Sequence, residues 1–162
     1  MTAFMEPSDD ESDDCTAQAG LISRLREARR QTDAFFDLIT PQALYSRAIP
    51  ERHRLVFYVG HLEAFDWNLL CARLCQQSSV HRRFEDLFAF GIDPVDGNMP
   101  CDGAAEWPDM DALLQYRAQA RAAVDAVLRD TPCRGPLQMA VEHRLMHLET
   151  LGYMLPQLPL ES

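Results

Sequence analysis

Apolar residues recur at helical intervals in four long segments of the chain. The segments run from about Thr16 to Ile39, from just after Pro50 to about Gln77, from Asp109 to about Arg129, and from Gly135 to Leu155. Apolar residues that return every three or four positions lie on one face of a helix. The pattern therefore predicts four long helices, each with a buried face.

Proline and capping residues mark the ends of these segments. Thr40 and Pro41 end the first helix and open a short helical turn through residues 42–46, with Thr40 as the N-cap and Pro41 at the first helical position. Asp109 caps the third helix, and Pro156 ends the fourth.

The connection between the second and third helices is long. It runs from Ser78 to Trp107, begins with HRRFEDLFAF, which could form a short helix, and continues through a stretch rich in Gly, Pro and Asp. A connection of this length in a compact domain is functional or a crossover between helices. Strand signals are absent, so the sequence predicts an all-α four-helix bundle with one long crossover connection.

The charge of the chain is concentrated near its N-terminus. The formal net charge is −10, and six carboxylates lie in EPSDDESDD at residues 6–14. A segment without large apolar side chains cannot offset the entropy of ordering, so residues 1–15 are predicted to be a disordered acidic tail and residues 16–162 the bundle domain. No basic stripe is present, which speaks against a nucleic-acid partner.

Membrane and secretion signals are also missing. No apolar run approaches the 18 or so residues that cross a bilayer, and the N-terminus does not have the pattern of a signal peptide. The five cysteines are an odd number without a CxxC pair, and Cys71 and Cys75 are spaced for helix packing. We therefore expect a reduced, cytoplasmic protein with no membrane partner.

Histidines carry the candidate chemistry of the chain. His143 and His147 are four residues apart in the fourth segment, so a helix projects both imidazoles from one face, one turn apart. Arg144 occupies the position of the glutamate in the HExxH motif, which excludes a metalloprotease of that type. The spacing alone fits two unrelated polar histidines equally well.

A third histidine strengthens the hypothesis of a metal site. His61 follows Gly60, which would allow close backbone approach, inside the apolar run LVFYVGHLEAFDWNLL, where a neutral imidazole needs a hydrogen-bond partner or a metal. Bundles build metal sites from inward-facing side chains of different helices. Together with His143 and His147, His61 predicts a three-histidine site for a divalent metal, with positions left open as in catalytic centres.

Three neighbouring polar residues are predicted to lie outside the site. His53, two turns before His61, and His81, in the basic string HRR, are predicted to be surface residues. Glu149 is rotated about 200° from His147 on the helical wheel. We expect it to contact a neighbouring helix, and a hydrogen bond from His61 to its carboxylate stays open.

Three segments of the chain resemble a known family. PERHRLVFYVGHLEAFDWNLL, FAFGIDPVDGNMPCDGAAEWPDMDALLQYR and MAVEHRLMHLETLGYMLPQLP are similar, in this order, to the N-terminal DinB-like domain of ergothioneine-type sulfoxide synthases. The resemblance covers residues 40–159, and the GIDPVDG linker and the HxxxHxET helix support it independently. It implies a DinB-like four-helix bundle and a mononuclear non-haem iron protein.

The resemblance also implies ligands and chemistry. The iron ligands of the family fall on His61, His143 and His147. Iron(II) and oxygen in that family join the sulfur of a cysteine-containing thiol to the imidazole of trimethylated histidine, giving a sulfoxide. The implied cofactor is a divalent metal, iron(II) first, with zinc or nickel as alternatives because imidazoles suit several metals.

The family pattern includes a second domain that this sequence is expected to lack. Full-length members continue into a domain similar to formylglycine-generating enzymes, which supplies substrate-binding groups and a catalytic tyrosine. We therefore expect little synthase turnover by this chain alone, and such a domain or protein as a partner in trans. Two alternatives stay open, a metal-dependent thiol S-transferase acting on a small-molecule thiol and a non-enzymatic metal-stabilised interaction domain. A homodimer is left open as well.

Overall fold

The computed structural model of the chain describes residues 9–89 and 106–158, with side chains from Thr16 onward. The described residues form six α-helices and no strand. They are α1 (Asp9–Phe36), α2 (Pro41–Leu44), α3 (Leu55–Trp67), α4 (Arg82–Leu87), α5 (Met110–Asp130) and α6 (Arg134–Met154). A π-helical segment (Asn68–Arg73) continues α3, and a 3₁₀ turn (Leu155–Gln157) follows α6.

The predicted all-α class is confirmed. Helix α6 packs mainly against α1, and α3 packs mainly against α5. The short helices α2 and α4 are the pieces expected after Thr40 and in HRRFEDLFAF, so the described residues form six helices where the long periodic segments alone predict four. The core between the four long helices contains the fully buried side chains of Leu25, Leu55, Tyr58, Leu113, Tyr116, Leu137 and Leu151.

Two predicted caps are present. The Oγ1 atom of Thr40 accepts a hydrogen bond from the backbone N–H of Ala43 at 3.3 Å, and Pro41 is the first residue of α2. The Oδ1 atom of Asp109 accepts from the N–H of Ala112 at 2.8 Å. Each cap satisfies a backbone donor that has no partner inside its helix, which is why these helices begin where the sequence predicts.

Helix α1 begins seven residues earlier than the sequence predicts. Its first residue is Asp9, not Thr16, so the helix includes residues 9–15 of the predicted tail, and disorder of the tail stays a prediction. Residues 1–8 lie outside the described residues.

The second long helix also differs from the expectation of a regular helix to Gln77. The backbone is α-helical from Leu55 to Trp67 and then π-helical over Asn68–Arg73. Gln76 has a φ of 53°, in the left-handed region, which turns the chain away from the helix axis. Most of α3 is buried, so its position is fixed on several sides.

A glutamine on α1 ties that helix to the turn between α5 and α6. The Nε2 atom of Gln18 donates to the carbonyl of Thr131 at 3.0 Å, and its Oε1 atom accepts from the N–H of Cys133 at 2.8 Å. The turn therefore gains partners for backbone groups that would otherwise be unpaired.

None of the described helices is long and apolar enough to cross a membrane. The second half of the long connection, including the GIDPVDG segment, lies outside the described residues. The division of the chain into tail and bundle domain stays a prediction.

Candidate metal centre

The three histidines selected from the sequence converge between two helices. His61 projects from α3, and His143 and His147 project from α6. One nitrogen atom of each ring lies within 4.8 Å of a nitrogen of the other two. The ring centroids are 4.5 to 5.1 Å apart. The trio is therefore already assembled by helix packing.

Hydrogen bonding orients the ring of His61. Its Nδ1 atom lies 2.7 Å from the backbone carbonyl of Phe88, the residue after α4. A carbonyl oxygen only accepts hydrogen bonds, so Nδ1 carries the hydrogen and donates it. The Nε2 atom of the neutral ring consequently keeps a free lone pair, which is the arrangement that metal-binding histidines use.

Glycine at position 60 makes this hydrogen bond sterically feasible. A Cβ atom built on Gly60 would lie 2.4 Å from the ring atoms of Phe88, closer than real Cβ atoms approach carbon. Close approach of backbone at this glycine is what the sequence predicts. The group that approaches is the aromatic side chain of Phe88, whose own carbonyl then reaches His61.

Aromatic side chains hold the other faces of the histidine rings. The ring of Phe65 stacks on His143 with centroids 3.5 Å apart and planes 9° apart. The ring of Phe57 stacks on His61 at 4.8 Å. Such contacts restrict ring rotation, so the nitrogen atoms are held in place without a ligand.

The electrostatic environment keeps the three imidazoles neutral. Burial, followed by the neighbouring His147 and His61, lowers the pKa of His143 to about 2. Burial and His61 lower the pKa of His147 to about 4. Burial also lowers the pKa of His61, despite the opposing hydrogen bond to Phe88. At neutral pH each ring is therefore in the form that binds metals.

The donor set and its spacing fit a divalent metal. The Nε2 atoms of His143 and His147 are 3.1 Å apart. Two nitrogens that each lie about 2.1 Å from one ion are separated by about 3.0 to 3.4 Å at angles between 90° and the tetrahedral value. Within the described ranges, the Nδ1 atoms of both rings are buried without a hydrogen-bond partner. The convergence agrees with the predicted trio, and its role as a ligand set stays a prediction.

Three expectations about neighbouring residues need correction or refinement. His53 is buried and stacks on Phe57 at 4.0 Å, so it is wrong to place it on the surface. The ring is covered because Phe57 lies one helical turn along the chain, a contact that the distance of His53 from His61 does not reveal. His81 is half-buried and accepts from the N–H of Phe84 at 3.3 Å, at the start of α4. Glu149 is exposed. The Nδ1 atom of His61 is hydrogen-bonded to the carbonyl oxygen of Phe88 and not to the carboxylate of Glu149.

A partly buried network of charged residues, which includes the residue between the two histidines of α6, could not be identified from the sequence. It consists of four arginines and four carboxylates on α1, α3, α5 and α6: Arg29, Arg117, Arg121, Arg144, Asp33, Glu63, Asp66 and Asp125. Arg144 is fully buried. Its position was a usable signal, because it lies three and four residues from buried Val141 and Ala140 on the apolar face of α6.

The fold and a family comparison agree on the class of this protein. A family model described as the DinB superfamily matches residues 24–151. The chain therefore belongs to the DinB superfamily, and the predicted DinB-like class is confirmed.

Two curated relatives are similar to this chain, and both are named ergothioneine biosynthesis protein 1. The protein from Neurospora crassa is 30% identical over 140 residues, which cover 76% of this chain and 16% of the relative. The protein from Schizosaccharomyces pombe is 28% identical over 134 residues, which cover 74% of this chain and 17% of the relative. The chain thus spans about a sixth of the length of the curated relatives it matches.

Proposed function

We propose that this chain is a metal-binding DinB domain that holds a divalent metal, iron(II) first, through His61, His143 and His147. The observation that carries the proposal is the convergence of three neutral imidazoles from α3 and α6, with one nitrogen of each within 4.8 Å of the others. Three protein ligands leave further coordination positions for a substrate or oxygen, as in catalytic metal centres.

The residues of the chain supply the binding and the orientation. The carbonyl of Phe88 fixes the tautomer of His61, and Phe65 fixes the plane of His143. Burial keeps the rings neutral and excludes water from the protein side of the centre. These groups act together as a rigid platform with one accessible side, because His143 is half-buried whereas His61 and His147 are buried.

The proposed chemistry is oxidative formation of a carbon–sulfur bond, as part of ergothioneine-type biosynthesis. The support is the likeness to two ergothioneine biosynthesis proteins together with the histidine trio. A bound iron(II) would supply the dioxygen and electron-transfer chemistry that joins a thiol sulfur to an imidazole carbon. Because the chain spans a sixth of those relatives, we propose that a formylglycine-generating-type domain or protein supplies the rest of the substrate site.

The first experiment tests the metal centre. Protein purified without an affinity tag is analysed for metal content, and the metal-free protein is titrated anaerobically with Fe(II), Zn(II) and Ni(II). Single replacements His61→Ala, His143→Ala and His147→Ala should each weaken binding by roughly 100-fold or more, since loss of groups that merely orient a ligand already costs 10–100-fold. Glu149→Ala, an exposed position two residues from His147, is the matched control. Equal affinity in all variants contradicts the proposal.

The second experiment distinguishes oxidative carbon–sulfur bond formation from metal-dependent thiol transfer. The metal-dependent thiol S-transferase is the alternative, because three neutral imidazoles also suit zinc, which lowers the pKa of a bound thiol. Product formation from a cysteine-containing thiol and trimethylhistidine should require Fe(II), oxygen and the partner domain together. Conjugation of a thiol by the zinc-loaded chain without oxygen would instead favour the transferase.

A further inference from the structure

Arg144 lies between the two histidines of α6 and reaches across to α3. Its Nη2 atom donates to the carbonyl oxygen of Leu62 at 3.1 Å and to the Oδ2 atom of Asp66 at 2.6 Å. Its Nη1 atom lies 3.2 Å from Oε1 of Glu63 and 3.4 Å from Oγ1 of Thr32 on α1. Three of these four partners lie one to five residues beyond His61 on the same helix. The guanidinium therefore connects the helix of two histidines to the helix of the third.

The connection matters because α3 and α6 have limited direct packing. Helix α6 packs mainly against α1, and α3 packs mainly against α5. The histidine site, however, depends on the relative position of α3 and α6. A helix advances 1.5 Å per residue, so a shift of α6 by a single residue along α3 would move the nitrogens by more than the tolerance of a metal–ligand bond.

Each of the two α3 carboxylates that contact Arg144 also lies close to a second arginine. Glu63 also accepts from Arg121 of α5 at 2.7 and 3.1 Å, and Asp66 lies 3.8 Å from Arg29 of α1. Glu63 and Asp66 are 2% and 1% exposed. Water therefore does not compete for these groups, and the network links all four long helices at the level of the histidines.

A buried ion network of this kind is a poor source of stability. Taking charges out of water costs about as much as their attraction returns, and apolar replacements of similar volume are often neutral or stabilising. The best-attested benefit of such groups is a fixed register between helices. The fork of Arg144, with partners at three defined positions on α3, has the geometry for that role.

We infer that Arg144 is a positioning residue for the metal centre, which fixes the register of α6 on α3 through Leu62, Glu63 and Asp66 so that the three histidines converge. The inference rests on the proposed function, since it concerns the metal that the trio would hold. Arg144 itself touches neither metal nor substrate in this role. It determines affinity and coordination geometry through the placement of His61 relative to His143 and His147.

The test compares two variants with one control, each with Co(II) and Zn(II) as probes. Arg144→Lys keeps the charge but has one nitrogen in place of the planar fork whose two nitrogens reach Leu62, Glu63 and Asp66. The double variant Arg144→Met with Asp66→Asn removes one charge of each sign, and Glu63 keeps Arg121 as its partner. The control is Arg121→Lys, which disturbs the same network where it contacts Glu63 and Asp33 but not α6. Circular dichroism of the metal-free proteins establishes folding.

Weakened binding in a folded protein supports the inference. The dissociation constant for Co(II) should rise 10–100-fold in Arg144→Lys and in the double variant, as for other groups that orient metal ligands. The visible absorption of bound Co(II) should also change, because it reports coordination geometry. The control should change the melting temperature while its affinity stays within about threefold of the unmodified protein and its Co(II) spectrum stays the same.

Four results would overturn the inference. The first also rejects the proposed metal centre, whereas the other three reject only the positioning role of Arg144. Unmodified protein that binds no metal rejects the metal centre itself. Unmodified protein that binds Co(II), with the same affinity and spectrum in both Arg144 variants, rejects only the positioning role. Equal weakening in the Arg121→Lys control, or unfolding of both Arg144 variants, assigns the network to general stability.

Discussion

The ring of His61 makes two kinds of contact that are often treated as alternatives. Its Nδ1 atom donates to the carbonyl of Phe88, while its centroid lies 5.1 and 4.9 Å from those of His143 and His147. A histidine bonded to the backbone and turned away from the others would argue against a metal site. Because imidazole has two nitrogens on opposite sides, the backbone bond here instead directs the second nitrogen toward the trio.

Replacement of Gly60 by alanine tests the contact that supports this arrangement. The added Cβ would meet the Phe88 ring at 2.4 Å, so the ring and its carbonyl must shift. We expect Gly60→Ala to lower the free energy of unfolding by about 1–3 kcal/mol, as for other overpacked cores, and to weaken metal binding. Urea denaturation and metal titration measure both effects.

The control for this variant is another helical glycine. Gly20 of α1 has no atom within 4 Å of a built Cβ. Gly20→Ala should therefore stabilise the protein by about 0.5–1 kcal/mol, because alanine loses less backbone freedom in a helix. Equal effects of the two replacements would mean that the contact between Gly60 and Phe88 is unimportant.

The pH dependence of stability follows from the neutral histidines of the metal-free protein. Burial and neighbouring histidines hold the pKa of His143 at about 2 and that of His147 at about 4, below their ordinary value of 6.5. Below pH 6.5 the unfolded chain takes up protons that the folded chain does not, so stability falls as the pH falls. We expect a loss of roughly 1.4 kcal/mol per pH unit for each histidine between pH 6.5 and 4.

Denaturation in the presence of a chelator at pH 7 and pH 5 measures this effect. The variant His147→Gln should show a shallower dependence, because one of the groups that takes up a proton on unfolding is gone. Equal stability at the two pH values would contradict the prediction.

At the scale of the elements, the sequence predicts the presence of helices and their caps better than it predicts irregularities in the helical backbone. Periodicity and the caps at Thr40 and Asp109 depend on residues within one turn, so they could be found along the chain. The π-helical segment after Trp67 follows a helix that is packed on several sides, so its geometry depends on contacts with other parts of the chain. Those influences are weakly encoded in the local pattern of apolar residues.

The candidate site shows the same division between local and distant information. His143 and His147 are recognisable from their spacing, and His61 from its apolar surroundings. The partners of Arg144 lie 78 to 112 residues away along the chain, so their contact could not be predicted without the packing of α1, α3 and α6. An arginine on the apolar face of α6 predicts some buried acceptor but not its identity.

The turn between α5 and α6 offers a test at this scale. Gln18→Ala would leave the carbonyl of Thr131 and the N–H of Cys133 without their partner. We expect a loss of about 1–3 kcal/mol, the usual cost of unpaired polar groups that are partly buried. Gln31→Ala on the same helix removes only an exposed bond to Glu27 and should change stability by less than about 0.5 kcal/mol. Thermal and urea unfolding of both variants decide between these expectations.

At the scale of the whole molecule, the three converging histidines come from both packed helix pairs. His61 belongs to the pair of α3 and α5, and the other two histidines belong to the pair of α1 and α6. With a metal bound to all three histidines, the two helix pairs could separate only if a metal–ligand bond broke. A bound metal should therefore resist unfolding of the entire bundle and not merely of one helix.

Metal added to the purified protein should raise its global stability by mass action. A free metal concentration 100 times the dissociation constant corresponds to about 2.7 kcal/mol if only the folded chain binds. Zn(II) is suited to this measurement because it has no redox chemistry. The stabilisation should disappear in His147→Ala. A rise that persists in that variant would show that the metal acts elsewhere on the chain.

The 3.1 Å between the Nε2 atoms of His143 and His147 determines which of their ring nitrogens carry hydrogen when no metal is bound. Two neutral rings at this distance share one hydrogen, donated by one Nε2 and accepted by the other. Coordination through both Nε2 atoms requires that this hydrogen move to the Nδ1 atom of its own ring, a change of tautomer and not an ionisation. Uptake of a metal near neutral pH would then release no proton from these rings to solvent, so its heat would not depend on the ionisation enthalpy of the buffer.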